Sequence, residues 1–240
     1  MSQVTENTSP EEGKGKRKRP IRSFVLRGGR LTEGQKRAID EYWPQFGIDE
    51  EGEPIDLADL FGNSNPVILE IGFGNGEATW RMAQAHPLEN FLGVEVHRPG
   101  VGRLLLKMEE HGLTNIRLAC ADAVFFLRDR IPKGSLAGIR IYFPDPWPKK
   151  RHHKRRMIQP EFVRLLVSRM RTGGILHLAT DWEPYADHML EILGAVSGLR
   201  NLAPDGAFCD KPAWRPDTKY EQRGERLGHK VRDLLFEKKA

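Results

Sequence analysis

Cysteine is nearly missing from this chain. Cys120 and Cys209 are two among 240 residues, too few for the disulfide framework of a small secreted domain. Cys120 closes an apolar run at 116–120 and is expected to be a small buried residue in a reducing cytosol. No apolar run reaches the roughly 18 residues of a membrane-spanning helix. The first residues lack the apolar core of a secretory leader, so a cytoplasmic location is expected. His and Cys form no cluster with metal-ligand spacing, and no metal is expected. Positions 1–20, MSQVTENTSPEEGKGKRKRP, hold almost nothing apolar and read as a disordered basic tail. Acids are missing from 146–156, a stretch that is rich in Lys and Arg.

What is present describes one sizeable α/β domain. Hydrophobic residues make up 39% and charged residues 30%, which suits a soluble protein with an ordinary core and a highly charged surface. The net charge of +5 is weak evidence for a nucleic-acid partner. Its distribution says more, because basic residues crowd into 14–19 and 149–156. A solvated face is the plainer reading of either run.

Residues 21–62 read as an N-terminal arm, with a short helix capped near Thr32 and broken by Pro44. From Val67 onward, apolar strands alternate with helical patterns. Strands are expected at 67–71, 91–96, 116–120, 139–143 and 175–179. Helices are expected at 77–85, 101–111, 123–130, 160–171 and 182–196, with a break at Gly173-Gly174. Residues 219–230 read as one or two late strands, one of them antiparallel, followed by a final helical turn. Alternating βα units imply a doubly wound, mainly parallel α/β sheet, Rossmann-like, over residues 63–240.

In such a sheet ligands bind beyond the carboxyl ends of the strands. Glu70, Glu95, Asp122 and Asp145 stand there, each about one βα unit after the last. The first precedes "GFGNG", whose Gly72, Gly74 and Gly76 let the backbone approach a ligand closely. The spacing is not the G-x-G-x-x-G of a dinucleotide site. A carboxylate two residues before the first glycine would repel a phosphate and attract an amine. Together these features favour S-adenosyl-L-methionine, with its amino group and sulfonium, over a dinucleotide. Glu95 is placed to accept ribose hydroxyls, or is an exposed strand-end charge. Asp122 is placed to take the adenine amine, or caps a helix, and the two roles are compatible.

Four stretches, "ILEIGFGNG", "PDPWPKKRHHKRR", "ATDWEPYA" and "TKYEQRGERLGH", resemble those of the bacterial tRNA (guanine-N7-)-methyltransferases, and the resemblance spans about residues 21–235. It implies a class I methyltransferase acting on guanine 46 in the tRNA variable loop, with tRNA as partner and the oligomeric state left open. Cofactor positions carried over from the family fall on Glu70, Glu95, Asp122 and Asp145. Substrate positions fall on Lys149, Asp181, Thr218, Lys219, Tyr220 and Glu221.

The stretch "YFPDPWPKKRHHKRR" then acquires a chemical reading. Guanine N7 is a lone pair without a proton, so methylation there needs placement and tolerance of positive charge rather than a general base. Asp145 can supply both and is the expected catalytic residue. Trp147 offers a plane for base stacking. Lys150, Arg151, His152, His153, Lys154, Arg155 and Arg156 are expected RNA contacts. Asp181 ends a strand near the same edge, with a helix N-cap before Trp182 as its alternative role.

Overall fold

The computed structural model describes residues 29–218, 221–222 and 228–240. The expected tail at 1–20, and with it Lys219 and Tyr220, lies outside the described residues.

The arm begins with α1 (Glu33–Phe46). Thr32 caps it, accepting the Gln35 backbone N–H while the Gln35 side chain accepts the Thr32 N–H. Pro44 does not break this helix. It lies in the last turn, where its missing donor costs a single bond, and the Gly47 N–H closes the end onto the Trp43 carbonyl. β1 (Gly47–Ile48) and α2 (Leu57–Phe61) complete the arm.

The expected alternation follows as β2 (Val67–Ile71), α3 (Glu77–Ala85), β3 (Asn90–Val94), α4 (Arg98–His111), β4 (Ile116–Ala119) and α5 (Ala123–Arg130). It continues with β5 (Leu136–Tyr142), a 3-10 turn (Lys150–Arg155), α6 (Pro160–Arg169), β6 (Met170–Thr180) and α7 (Glu183–Gly194). The Gly173-Gly174 break lies inside β6. The pairing with β5 jumps from Leu136–Met170 to Gly138–Ile175, so the extra residues 171–174 bulge from β6, with Gly173 left-handed, and the strand starts early.

Two late strands are displaced from their expected position. β7 (Leu199–Asn201) and β8 (Arg232–Lys238) pair antiparallel, and β8 pairs antiparallel with β6. Within 219–230 the described residues form no strand, although Glu221 and Gln222 are helical, and the last strand lies beyond, at β8. Both faces of β8 are buried from Asp233 to Phe236, so it lacks the alternation of a half-exposed strand.

The sheet runs β1-β4-β3-β2-β5-β6-β8-β7, parallel as far as β6. From β2 the chain works outward through β3 and β4, then crosses back to place β5 on the other side of β2. The order reverses between β2 and β5, where such sheets bind ligands.

One face carries an apolar core with α5, α6 and α7 residues packed on Leu69, Ile139, Leu176 and Leu234. On the other face, residues of α1, α3 and α4 pack around Ile68, Phe91 and Leu118. From β2 onward that second face turns polar. Glu70, Arg140, His177 and Asp233 are buried there, and Trp214 and Arg215 from the segment before β8 lie over them.

Candidate active site

A cavity of about 210 Å³ opens at the reversal point, bordered by Gly72, Glu95, Asp122, Tyr142, Phe143 and Asp145 among others. Three of the four expected acids therefore meet around one space. Gly72, Gly74 and Gly76 all have positive φ. A Cβ on Gly72 or Gly74 would meet nothing within 4 Å, so bare backbone faces open space. A Cβ on Gly100, in α4, would fall 2.1 Å from the Gly74 carbonyl oxygen, so the loop rests directly on that helix. Such a cradle fits a ligand that must touch the main chain.

Glu95 shapes the loop as well as the cavity. Its Oε2 accepts the Gly74 N–H at 2.8 Å, and its Oε1 accepts the Val96 and His97 N–H groups at 2.7 and 3.0 Å. It is a nearly buried strand-end carboxylate, not an exposed charge. Asp122 fills the capping role that the sequence allowed. It caps α5 by accepting the Val124 N–H at 2.9 Å and it borders the cavity.

Asp145 stands in a turn wound through two unusual backbone positions. Phe143 and Trp147 have φ of 51° and 44°, a region that costs roughly 1–3 kcal/mol for a residue other than glycine. Pro144 and Pro146 fix φ between them. The turn is tied down on both sides. The Phe143 N–H donates to the Ala179 carbonyl at 2.8 Å, and Arg156 Nε donates to the Pro146 carbonyl at 3.0 Å.

Arg156 thus separates from the basic block to which the sequence assigned it. It is buried, with its guanidinium 4.8 Å from the centre of the Tyr185 ring. Lys149, Lys150, Arg151 and Lys154 are exposed around the 3-10 turn. His152 and His153 are half-buried, and the His153 ring lies 3.2 Å from an Arg156 nitrogen. Arg155 places its guanidinium 4.2 Å over the Trp147 ring, so one face of that ring is already covered.

Glu70 does not border the cavity. It is buried on β2 and accepts the Thr79 hydroxyl at 2.7 Å. Burial pushes its carboxyl up to about 7, against the Thr79 hydrogen bond and the Arg140 charge. A carboxyl so placed is stabilised as an anion by any cation brought near it.

Asp181, Thr218 and Glu221 do not border that cavity. The Asp181 carboxylate is half-buried, 3.4 Å from the His229 ring. It is not the cap of α7, since Trp182 holds that position and the Thr180 hydroxyl accepts its N–H. The Thr218 hydroxyl accepts the Glu221 N–H at 3.2 Å. Glu221 is buried and borders a second cavity, with Lys211, Arg215 and Asp233.

Sequence reasoning missed the network that holds this second region. Trp214 Nε1–H, which can only donate, points at His177 Nδ1 at 3.2 Å, so that nitrogen accepts and the ring proton sits on Nε2. Nε2 then donates to Asp233 at 2.7 Å, and the Tyr142 hydroxyl lies 3.0 Å from Nδ1. Burial pushes His177 down to about 4, against the pull of Asp233, so the ring is neutral near pH 7. Burial alone would raise Asp233, but hydrogen bonds from His177 and Arg215 hold it below the usual carboxylate range. The available signal was an aspartate inside the apolar run "VRDLLF".

A family model described as a methyltransferase matches residues 64–234. A tRNA (guanine-N(7)-)-methyltransferase of Alcanivorax borkumensis is 52% identical over 99% of this chain and 98% of its own length. One of Aeromonas hydrophila is 53% identical over 98% of each. Among solved structures, the 16S rRNA methyltransferase KamB aligns with a TM-score of 0.55 at 17% identity, covering 79% of this chain and 96% of its own. TrmN from Thermus thermophilus aligns at 0.52 and 18%, covering 76% and 47%. At such identities these structures support the fold alone.

Proposed function

Since the chain belongs to the bacterial tRNA (guanine-N7-)-methyltransferase family and is a methyltransferase enzyme, we propose that it moves a methyl group from S-adenosylmethionine to N7 of guanine 46 in the tRNA variable loop. The observation that carries this reading is the meeting of Glu95, Asp122 and Asp145 around one cavity beside a bare glycine loop. No helix among the described residues is long and apolar enough to cross a membrane, and a cytoplasmic location belongs to the same proposal.

When bound, the cofactor supplies a methyl on a positive sulfur. The chain's own residues then have separable tasks. The glycine loop lets the backbone approach the ligand. Glu95 already carries three N–H groups, and an ionised carboxylate has about four acceptor sites, which leaves capacity for a ribose hydroxyl. Asp122 uses one oxygen as a cap and can take the adenine amine with the other. Glu70, buried two residues before the loop, favours the cationic amino group.

On the substrate side, Asp145 accepts from the guanine Watson–Crick edge and offsets the positive charge arriving on the purine. N7 has no proton to remove, so no base is assigned. Lys149, Lys150, Arg151 and Lys154 attract the phosphates and help offset the few kcal/mol needed to expose a stacked base. Asp181, Thr218, Lys219, Tyr220 and Glu221 are proposed to hold the guanine and its neighbours.

The test is transfer of labelled methyl from S-adenosylmethionine to tRNA, followed by chemical cleavage at 7-methylguanosine. Cleavage at position 46, lost when that guanine is replaced by adenine, is expected. Label elsewhere in the tRNA, or none, overturns the reading.

A further inference from the structure

Arg215 joins three parts of the molecule that the sequence keeps far apart. Its Nε and one terminal nitrogen donate to the two oxygens of Asp233 on β8 at 2.7 and 2.8 Å. Its other terminal nitrogen donates to Glu221 at 2.8 Å. Its guanidinium carbon lies 5.9 Å from the centre of the Phe143 ring, which borders the Asp145 cavity. Arg215, Glu221 and Asp233 are each no more than 3% exposed.

The anchor is itself held from behind, because Asp233 also accepts His177 Nε2–H and His177 meets Tyr142 at the cavity wall. Glu221 has a second cation in Lys211, at 3.1 Å. Lys211 is half-exposed and offers a point charge, whereas the Arg215 fork fixes direction. One planar group therefore sets where the Glu221 carboxylate stands relative to the sheet and to the turn that carries Asp145.

We propose that Arg215 is a positioning residue for tRNA methylation, acting through Glu221 by fixing that carboxylate against Asp233 and Phe143. The inference rests on the reading above that Glu221 meets the substrate. A carboxylate is acceptor-only and suits N–H or O–H donors of the substrate other than the guanine edge given to Asp145, provided that its oxygens face them squarely. An Arg-to-Lys change keeps the charge and removes the fork, so it isolates geometry from charge.

The experiment is a double-mutant cycle in tRNA methylation kinetics with wild type, Arg215→Lys, Glu221→Gln and the double variant. Each single change is expected to lower kcat/KM for tRNA roughly ten- to hundredfold, by weakening one charge-assisted contact. The double variant should fall no further than Glu221→Gln alone, within about threefold, and KM for S-adenosylmethionine should stay within about threefold of wild type throughout. Losses that multiply, or an Arg215→Lys enzyme at the wild-type rate, overturn the role of Arg215 and leave the Glu221 reading intact. A Glu221→Gln enzyme at the wild-type rate overturns the Glu221 reading and the inference with it. Should Arg215→Lys fail to fold by thermal melting, Asp233→Asn loosens the same fork from its other end and enters the cycle in its place, with the same outcomes deciding.

Discussion

Arg156 donates its Nε–H to the Pro146 carbonyl at 3.0 Å, so a buried arginine at the end of the basic turn holds the residue next to Asp145. Lys149, Lys150, Arg151 and Lys154 of the same block are exposed, and the two behaviours separate by experiment.

Arg156→Gln should loosen the Asp145 turn without removing a phosphate contact. A displacement of about 1 Å at a reacting centre costs on the order of a hundredfold in rate. Single-turnover methylation should therefore fall ten- to hundredfold, while the salt dependence of tRNA binding keeps its slope. A preserved rate with a shallower slope would return Arg156 to the RNA-contacting block.

Replacing Lys149, Lys150, Arg151 and Lys154 with Gln should do the reverse. Each lost phosphate contact should lower the slope of log affinity against log salt by roughly 0.7–0.9. S-adenosylmethionine affinity by calorimetry should be unchanged. An unaltered slope would mark the block as a solvated face.

Glu70 makes stability depend on pH in a predictable direction. In the folded protein burial pushes its carboxyl up from an ordinary 4.5 to about 7. Between those values the native state holds the extra proton, so stability falls as pH rises through the window. Full ionisation costs about 3 kcal/mol by that difference. Glu70→Gln should melt like the wild type below pH 4.5 and progressively above it in temperature from pH 5 to 8, while binding S-adenosylmethionine more weakly. Parallel melting profiles across that range would contradict the burial of this charge.

The parallel half of the fold was legible because β2, β3 and β4 are short apolar runs punctuated by glycine, and each acid marked a strand end. The late strands were not. β8 is buried on both faces, and the buried polar face contributed by Glu70, Arg140, His177 and Asp233 comes from four strands remote in sequence. The same reason hid Arg156, since nothing in "KKRHHKRR" says which cation turns inward to meet Tyr185. Glu95 and Asp122 could be read as site residues, but their hydrogen bonds to Gly74 and Val124 could not.

The central claim is that Asp145, held in a strained turn at the cavity edge, governs transfer to the guanine. The most direct measurement is the single-turnover rate of labelled methyl transfer to saturating tRNA for Asp145→Asn and Asp145→Ala. Both variants should lose a hundredfold or more, about 2.7–4 kcal/mol of barrier, with tRNA affinity largely kept, because charge as well as hydrogen bonding is removed in each. A rate near wild type in Asp145→Ala would contradict the claim and shift the role toward Asp181.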